Sequence, residues 1–145
     1  MINERNVIRM KIPFPSVSSD LAVSSHMYIC MKTEKNRCEF VKCQTLKPYM
    51  LINDIVKNFC DEKPDITRNP FTRTTRIDCD KIFITSNVNY DEKLLTNLRK
   101  NICEELFNEI HEKISAKECE YIELNEEILV LLNTLITFLS EEEVK

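Results

Sequence analysis

Glycine does not occur once among the 145 residues. Its absence excludes the glycine-rich loops that cradle phosphates in nucleotide-binding enzymes, the dinucleotide fingerprint and the P-loop alike. Turns must be built from Asn, Asp, Ser and Pro instead. Long apolar runs are missing too. A membrane helix needs about 18 or more consecutive apolar residues. The nearest approach, 128–139, is interrupted by Asn133, Thr134 and Thr137, so no membrane association is expected. Paired-cysteine motifs are also absent. Cys30, Cys38, Cys43, Cys60, Cys79, Cys103 and Cys119 contain no C-x-x-C and no Cys/His group with zinc spacing. Their number is odd and no secretory signal precedes them. The expectation is buried, reduced thiols in a cytoplasmic protein, with no disulfide, metal or other cofactor.

The length suits one domain, and folding at this size buries roughly 70% of the unfolded surface, enough for a core. The formal net charge of −4 gives no general attraction to nucleic acid, so any such site must be a local basic patch.

Three stretches read as strands before the middle of the chain. Over 6–14, Val7, Arg9 and Lys11 alternate with Ile8, Met10 and Ile12, the period of a strand, and Pro13 and Pro15 end it. Residues 15–25 are serine-rich and read as a loop. The apolar run 26–32 suits a central strand, and 38–46 alternates again and pairs with it as a hairpin. Over 49–60, Met50, Leu51, Ile52, Ile55, Val56 and Phe59 suggest a short one-sided helix, and 61–70 reads as a charged loop. Strand character returns over 71–84, with a shift of alternation that predicts a bulge or break near Asp80.

The strongest periodicity follows. Leu94, Leu98, Ile102, Leu106, Ile110 and Ile114 recur every fourth residue, widened by Leu95, Cys103 and Phe107, which predicts an amphipathic helix over 94–114 with Asp91 as its N-cap. A second helix is expected over 125–139, capped by Asn125 and apolar nearly all round, and so buried deeply or against a partner.

Three places resemble the MazF/PemK/Kid family of toxins from type II toxin–antitoxin modules. VIRMKIPFPS at 7–16 is similar to the family's opening strand and its PFP-like turn. CEFVKCQT at 38–45 resembles the strand ending in the active-site Thr or Ser, and TTRIDCDKIF with the following DEKLLTNLRKNICEEL resembles the R-x-I-D-K-x-x-L strand and helix. The resemblance covers about 6–114. It departs where the family carries Arg-Pro before its second strand, since Ser25 and His26 stand there, and Asn6 replaces the usual Gly-acid pair.

The resemblance implies an α+β domain over 1–115: a small bent antiparallel sheet forming an SH3-like, PemK-like barrel, with a long packed helix. An extra C-terminal helical extension, 116–145, would pack on the domain or on a partner. It implies a metal-independent endoribonuclease acting on single-stranded RNA, usually as a homodimer, with an antitoxin as a further partner. The alternative on the same scaffold is a non-catalytic binding or inhibitor protein of a toxin–antitoxin, phage or other mobile-element system.

Metal-free RNA cleavage needs a group to move the 2′-hydroxyl proton and a cation for the phosphorane charge. Thr45 stands at the family's phosphate-contacting position, though a strand-end Thr can equally keep a solvated hydroxyl. His26 is the candidate acid or base, and otherwise a structural residue; His111 falls at the edge of the helix stripe. Arg76 or Arg73 must supply the cation that the missing Arg-Pro would have carried. Arg9, Lys11, Arg68 and Arg73 are the candidate RNA-binding residues, and their alternative is ordinary cross-strand pairing with nearby acids.

Overall fold

The structure, a computed structural model, describes residues 2–12, 25–52 and 56–140. The PFP turn lies outside the described residues, as does the loop expected over 15–25 except for Ser25, which opens a strand.

Among the described residues, seven strands form one mostly antiparallel sheet. Its backbone is β1 (Val7–Lys11), β2 (Ser25–Glu34), β3 (Arg37–Thr45), β5 (Thr75–Asp78) and β4 (Phe59–Glu62), hydrogen-bonded in the order β1-β2-β3-β5-β4. The four strands legible in the alternation, at 7–12, 27–31, 39–42 and 75–79, therefore share one antiparallel sheet as expected. The long β3 changes partner along its length. Its end pairs with β5, from Cys43 opposite Ile77 to Thr45 opposite Thr75. Its start pairs with β6 (Lys81–Ser86), from Arg37 opposite Ser86 to Phe40 opposite Phe83. The chain breaks between β5 and β6 at Cys79 and Asp80, where the shift of alternation placed it. The sheet does not close on itself into a barrel; β1 and β4 end its main path.

Both faces of the sheet are covered. On one face Val7, Ile29, Val41, Cys43 and Ile77 pack with Ile102, Leu106 and Ile110. On the other, Ile8, Met10, Tyr28, Phe40 and Phe83 pack with Leu94, Leu129 and Ile136. This is why Tyr28, Ile29, Cys30 and Met31 form an unbroken apolar run: each is buried, whichever way it points.

The main helix is shorter than the periodicity predicts. α1 spans Glu104–Ala116 and not 94–114. Asp91 does cap a helical turn, accepting from the Lys93 N–H at 2.8 Å, but that turn ends at Leu94. The next residues run along the free edge of β1 instead. Val7 N–H donates to Lys100 O at 2.9 Å, Thr96 N–H to Val7 O at 3.0 Å and Ile102 N–H to Arg5 O at 2.9 Å. Satisfying a strand edge outweighs helix propensity here, since unpaired buried backbone groups cost more than propensity contributes. Leu98, counted in the stripe, is 61% exposed. The true N-cap is Cys103, whose sulfur accepts from Leu106 N–H, followed by Glu104 and Glu105 at the positive end of the dipole.

The helix expected over 49–60 is also not observed: Pro48–Leu51 is a single 3₁₀ turn, and Phe59 and Cys60 open β4. The residues after 116 contribute more than helix. β8 (Glu120–Glu123) joins the sheet parallel to β6. α2 covers only Glu126–Leu132 of the expected 125–139, with Asn125 as its cap as read. β9 (Ile136–Phe138) then pairs with β7 (Val88–Tyr90) in a separate two-stranded sheet. Asn133 ends α2 because its amide is needed elsewhere: Oδ1 accepts from Lys11 N–H at 2.8 Å and Nδ2 donates to Lys11 O at 2.9 Å. Asn133→Ala should therefore cost about 1–3 kcal/mol by leaving β1 backbone groups unpaired. A urea midpoint unchanged from the parent would show that this clamp contributes nothing.

No described helix is long and apolar enough to cross a membrane. In the absence of glycine, the positive-φ positions are taken by Arg5, Lys35 and Asn87; asparagine is the residue type that tolerates this best.

Candidate functional site

One row of residues crosses the sheet from β1 to β5. Arg9 is paired with Met27, Met27 with Cys43, and Cys43 with Ile77. Thr45 lies one row further along, opposite Thr75. By strand alternation these residues share the face on which α1 packs. Beyond the helix, toward the start of β2, the described residues on that face line a cavity of about 250 Å³. Arg9, Ser25, His26, Thr45, Arg73 and Thr75 line it, with Met27, Cys43, Gln44, Phe71 and Thr72 completing the floor and wall.

The wall is held in place by a polar network behind it. Asn69 is buried; its Nδ2 donates to Glu62 Oε2 at 2.7 Å, and its Oδ1 accepts from Phe71 N–H at 3.0 Å. Thr75 Oγ1 donates to Arg73 O at 2.9 Å, and Leu46 N–H to Thr74 O at 2.9 Å, which continues the β3–β5 ladder to the cavity rim. Arg73 is thus carried on a fixed backbone while its side chain is exposed.

The electrostatics are one-sided. Arg9 and Arg73 are both exposed, and among the described residues neither is in an ion pair. Among the described residues no carboxylate lines the cavity, in a chain whose net charge is −4. Hydroxyl groups of Ser25, Thr45 and Thr72 supply neutral donors. Cys43 is not a nucleophile: it is fully buried, and burial pushes its thiol far up. Two guanidinium groups, an imidazole and several hydroxyls converge on this concave surface, and these are donor types that can contact phosphate oxygens.

No protein-family model matches this chain, and neither does any curated protein.

Four of the residues singled out in the sequence, Arg9, His26, Thr45 and Arg73, meet in this cavity, although 64 positions separate the first from the last. The other three do not. Arg76 is buried on the opposite face of β5, where it forms a bidentate pair with Asp61, Nε–Oδ1 and Nη2–Oδ2 both 2.8 Å. Its guanidinium also donates to Met50 O at 3.2 Å and lies over the Phe59 ring, 3.6 Å from the centroid. It cannot serve as the cation of an open site. Arg68 is committed to Glu62, Glu105 and Glu109, tying the loop before β5 to the start of α1. Lys11 shares the face of Arg9 but does not line the cavity.

Sequence reasoning missed Thr72, Thr75, Gln44 and Phe71 as site residues. The signal for two of them was present, since T-R-T-T at 72–75 places three hydroxyls around Arg73. What could not be read was the curl of 69–71 that turns this run toward β3. Among the described residues no three of His, Cys, Asp and Glu gather in a way that could hold a metal ion.

Proposed function

We propose that the protein binds single-stranded RNA in the Arg9–His26–Thr45–Arg73 cavity and cleaves it without a metal, as a MazF/PemK-like toxin. The observation that carries this reading is the convergence of two arginines, a histidine and several hydroxyls on one cavity of an acidic chain, with no carboxylate among its described lining residues. Single-stranded RNA suits it because its phosphates and 2′-hydroxyls are presented together and its bases can splay away. Thr45 contacts the phosphate, Arg73 and Arg9 stabilise the charge that grows on its oxygens, and His26 moves the proton. In this reading β1, β2, β3 and β5 correspond to the family's SH3-like barrel, here left open. Its partners are RNA, a second copy of the chain and an antitoxin, and its location is the cytoplasm.

One observation favours the alternative, a non-catalytic binding protein of a toxin–antitoxin, phage or mobile-element system. The pairing of Arg76 with Asp61 removes one of the two cations expected to replace the family's arginine. A single experiment separates the readings: a mixed-sequence single-stranded RNA incubated with the purified protein in EDTA. Cleavage is expected. Binding is expected to weaken with salt at a slope near −1.4 in log–log form, about 0.7 for each of two phosphate contacts. Binding without cleavage establishes the alternative. Neither binding nor cleavage rules out RNA as the ligand.

A further inference from the structure

A second cluster lies away from this cavity, where β4 meets α1. Cys60 is on β4 opposite Ile77 of β5, and Cys79 N–H donates to Asn58 O at 2.8 Å, which extends the same ladder. Cys60 and Cys79 are therefore diagonal neighbours on adjacent antiparallel strands. They project to the same face, within the core cluster that includes α1. Each thiol is placed to perturb the other's ionisation. Cys79 is fully buried and also reaches Ile77 O at 3.7 Å. Cys60 is half-buried and lines a groove of about 440 Å³ together with Glu109, Glu112, Lys113 and Ala116 of α1.

From this arrangement we propose that Cys60 and Cys79 are a redox pair: a hydroperoxide entering the groove oxidises Cys60, and Cys79 resolves it to a reversible disulfide. The Cys60 thiolate attacks one peroxide oxygen; an S–O bond forms, the O–O bond breaks, and the other oxygen leaves with a proton as water or an alcohol. Cys79 then attacks the sulfenic sulfur. The S–S bond forms, the S–O bond breaks, and the departing hydroxide takes the Cys79 proton as water. The two thiols lose two electrons and the peroxide gains them.

Chemistry and geometry assign the two roles. The Cys79 thiol hydrogen bond and the nearby Lys113 ammonium hold the Cys60 thiol below its usual range, against burial and the carboxylates Glu109 and Glu62. Bonding to Cys60 and burial push Cys79 up. Cys60 is thus the better nucleophile and the accessible one. Diagonal neighbours lie ~7–8 Å apart between Cα atoms, more than the ~4.4–6.8 Å of ordinary disulfides. β4 must shift to close the bond, and it can: it has four residues and ends the sheet path, paired only with β5. A disulfide formed with such strain is easily reduced, which makes the pair reversible.

The fold contains its own control. Cys30 and Cys38 form a second diagonal pair, across β2 and β3, but in the opposite sense and beside a register shift between Cys30 and Lys32; Cys30 is opposite Phe40. Cys38 is half-buried as Cys60 is, but both strands there are paired on both sides, so the strand movement that closes the Cys60–Cys79 bond is not available.

The test is treatment of the folded protein with one equivalent of hydrogen peroxide, alkylation of the remaining thiols and peptide mapping by mass spectrometry. The expected result is a chain lighter by two hydrogen atoms, with Cys60 linked to Cys79 and the link lost on mild reduction. Cys60→Ser, at a half-exposed position that need not disturb folding, should abolish the link and leave Cys79 as a thiol. A Cys30–Cys38 or Cys79–Cys119 link in its place would overturn the proposal. So would Cys60 passing to sulfinic acid with Cys79 unlinked, or all seven thiols remaining unmodified.

Discussion

Thr45→Ala and Arg73→Ala should each lower RNA cleavage by about 10²–10³-fold while leaving the thermal midpoint within a degree or two of the parent. The rate effect follows from the transition state, which carries more charge on the phosphoryl oxygens than the ground state, so a preorganised donor there is worth more than one that only binds substrate. The stability expectation follows from exposure: Arg73 is solvent-facing and Thr45 half-buried at a strand end, and neither belongs to the two core clusters. Arg9→Ala should act differently. It should weaken RNA binding across sequences and reduce the salt slope by about 0.7, as expected for loss of one phosphate contact. His26→Ala should remove one limb of the pH–rate profile if the imidazole moves the proton. Cleavage by Thr45→Ala and Arg73→Ala at the parental rate would show that the activity resides elsewhere on the protein.

Asp61→Ala should destabilise the fold by roughly 3 kcal/mol, more than any single change in the cavity. The reason is what it leaves behind. The Arg76 side chain is only 6% exposed, so loss of Asp61 would take the bidentate carboxylate away from a guanidinium held out of water, bonded to Met50 O and lying over the Phe59 ring. Breaking a buried pair from one side costs about 3–5 kcal/mol, whereas replacing both members with apolar groups is often neutral. The low end applies because Asp61 is itself 32% exposed and water reaches that side of the pair. Arg76→Met should therefore be milder than Asp61→Ala, and the double variant should recover most of the loss. Denaturant midpoints of the three variants decide it: an Asp61→Ala midpoint equal to the parent's would mean the pair contributes nothing. The same geometry recasts Arg76→Ala as a stability change, with any loss of cleavage following from the fold.

The sheet was legible because period-two alternation is a local property. Arg9 and Lys11 alternating with Ile8 and Met10 signals a strand whatever lies beside it. The Asn125 cap was legible for the same reason. The start of α1 was not, because Leu94, Leu98 and Ile102 satisfy a helical spacing while the backbone of Leu95, Thr96 and Lys100 among them is claimed by the edge of β1, a competitor nearly ninety residues distant. Asp91 carried a correct capping signal attached to the wrong length of helix. In the candidate site, strand parity put Arg9 and Lys11 together on one face of the first strand. It could not separate Arg73 from Arg76, three residues apart in one basic stretch, one facing solvent and the other sealed against Asp61. That distinction depends on β4, which the sequence presented as helix.

The clamp between Asn133 and Lys11 has a consequence for synthesis. Its two partners are 122 residues apart, and β8, which completes the sheet beside β6, follows α1. On a ribosome adding about 5–20 residues per second, the strand bearing Arg9 would wait several seconds for the asparagine that fastens it. Until then the nascent chain holds the first arginine of the cavity on a strand whose far end, at Lys11, is unfastened. An RNA-cutting protein assembled in this order would be kept from the messenger and ribosome that are making it.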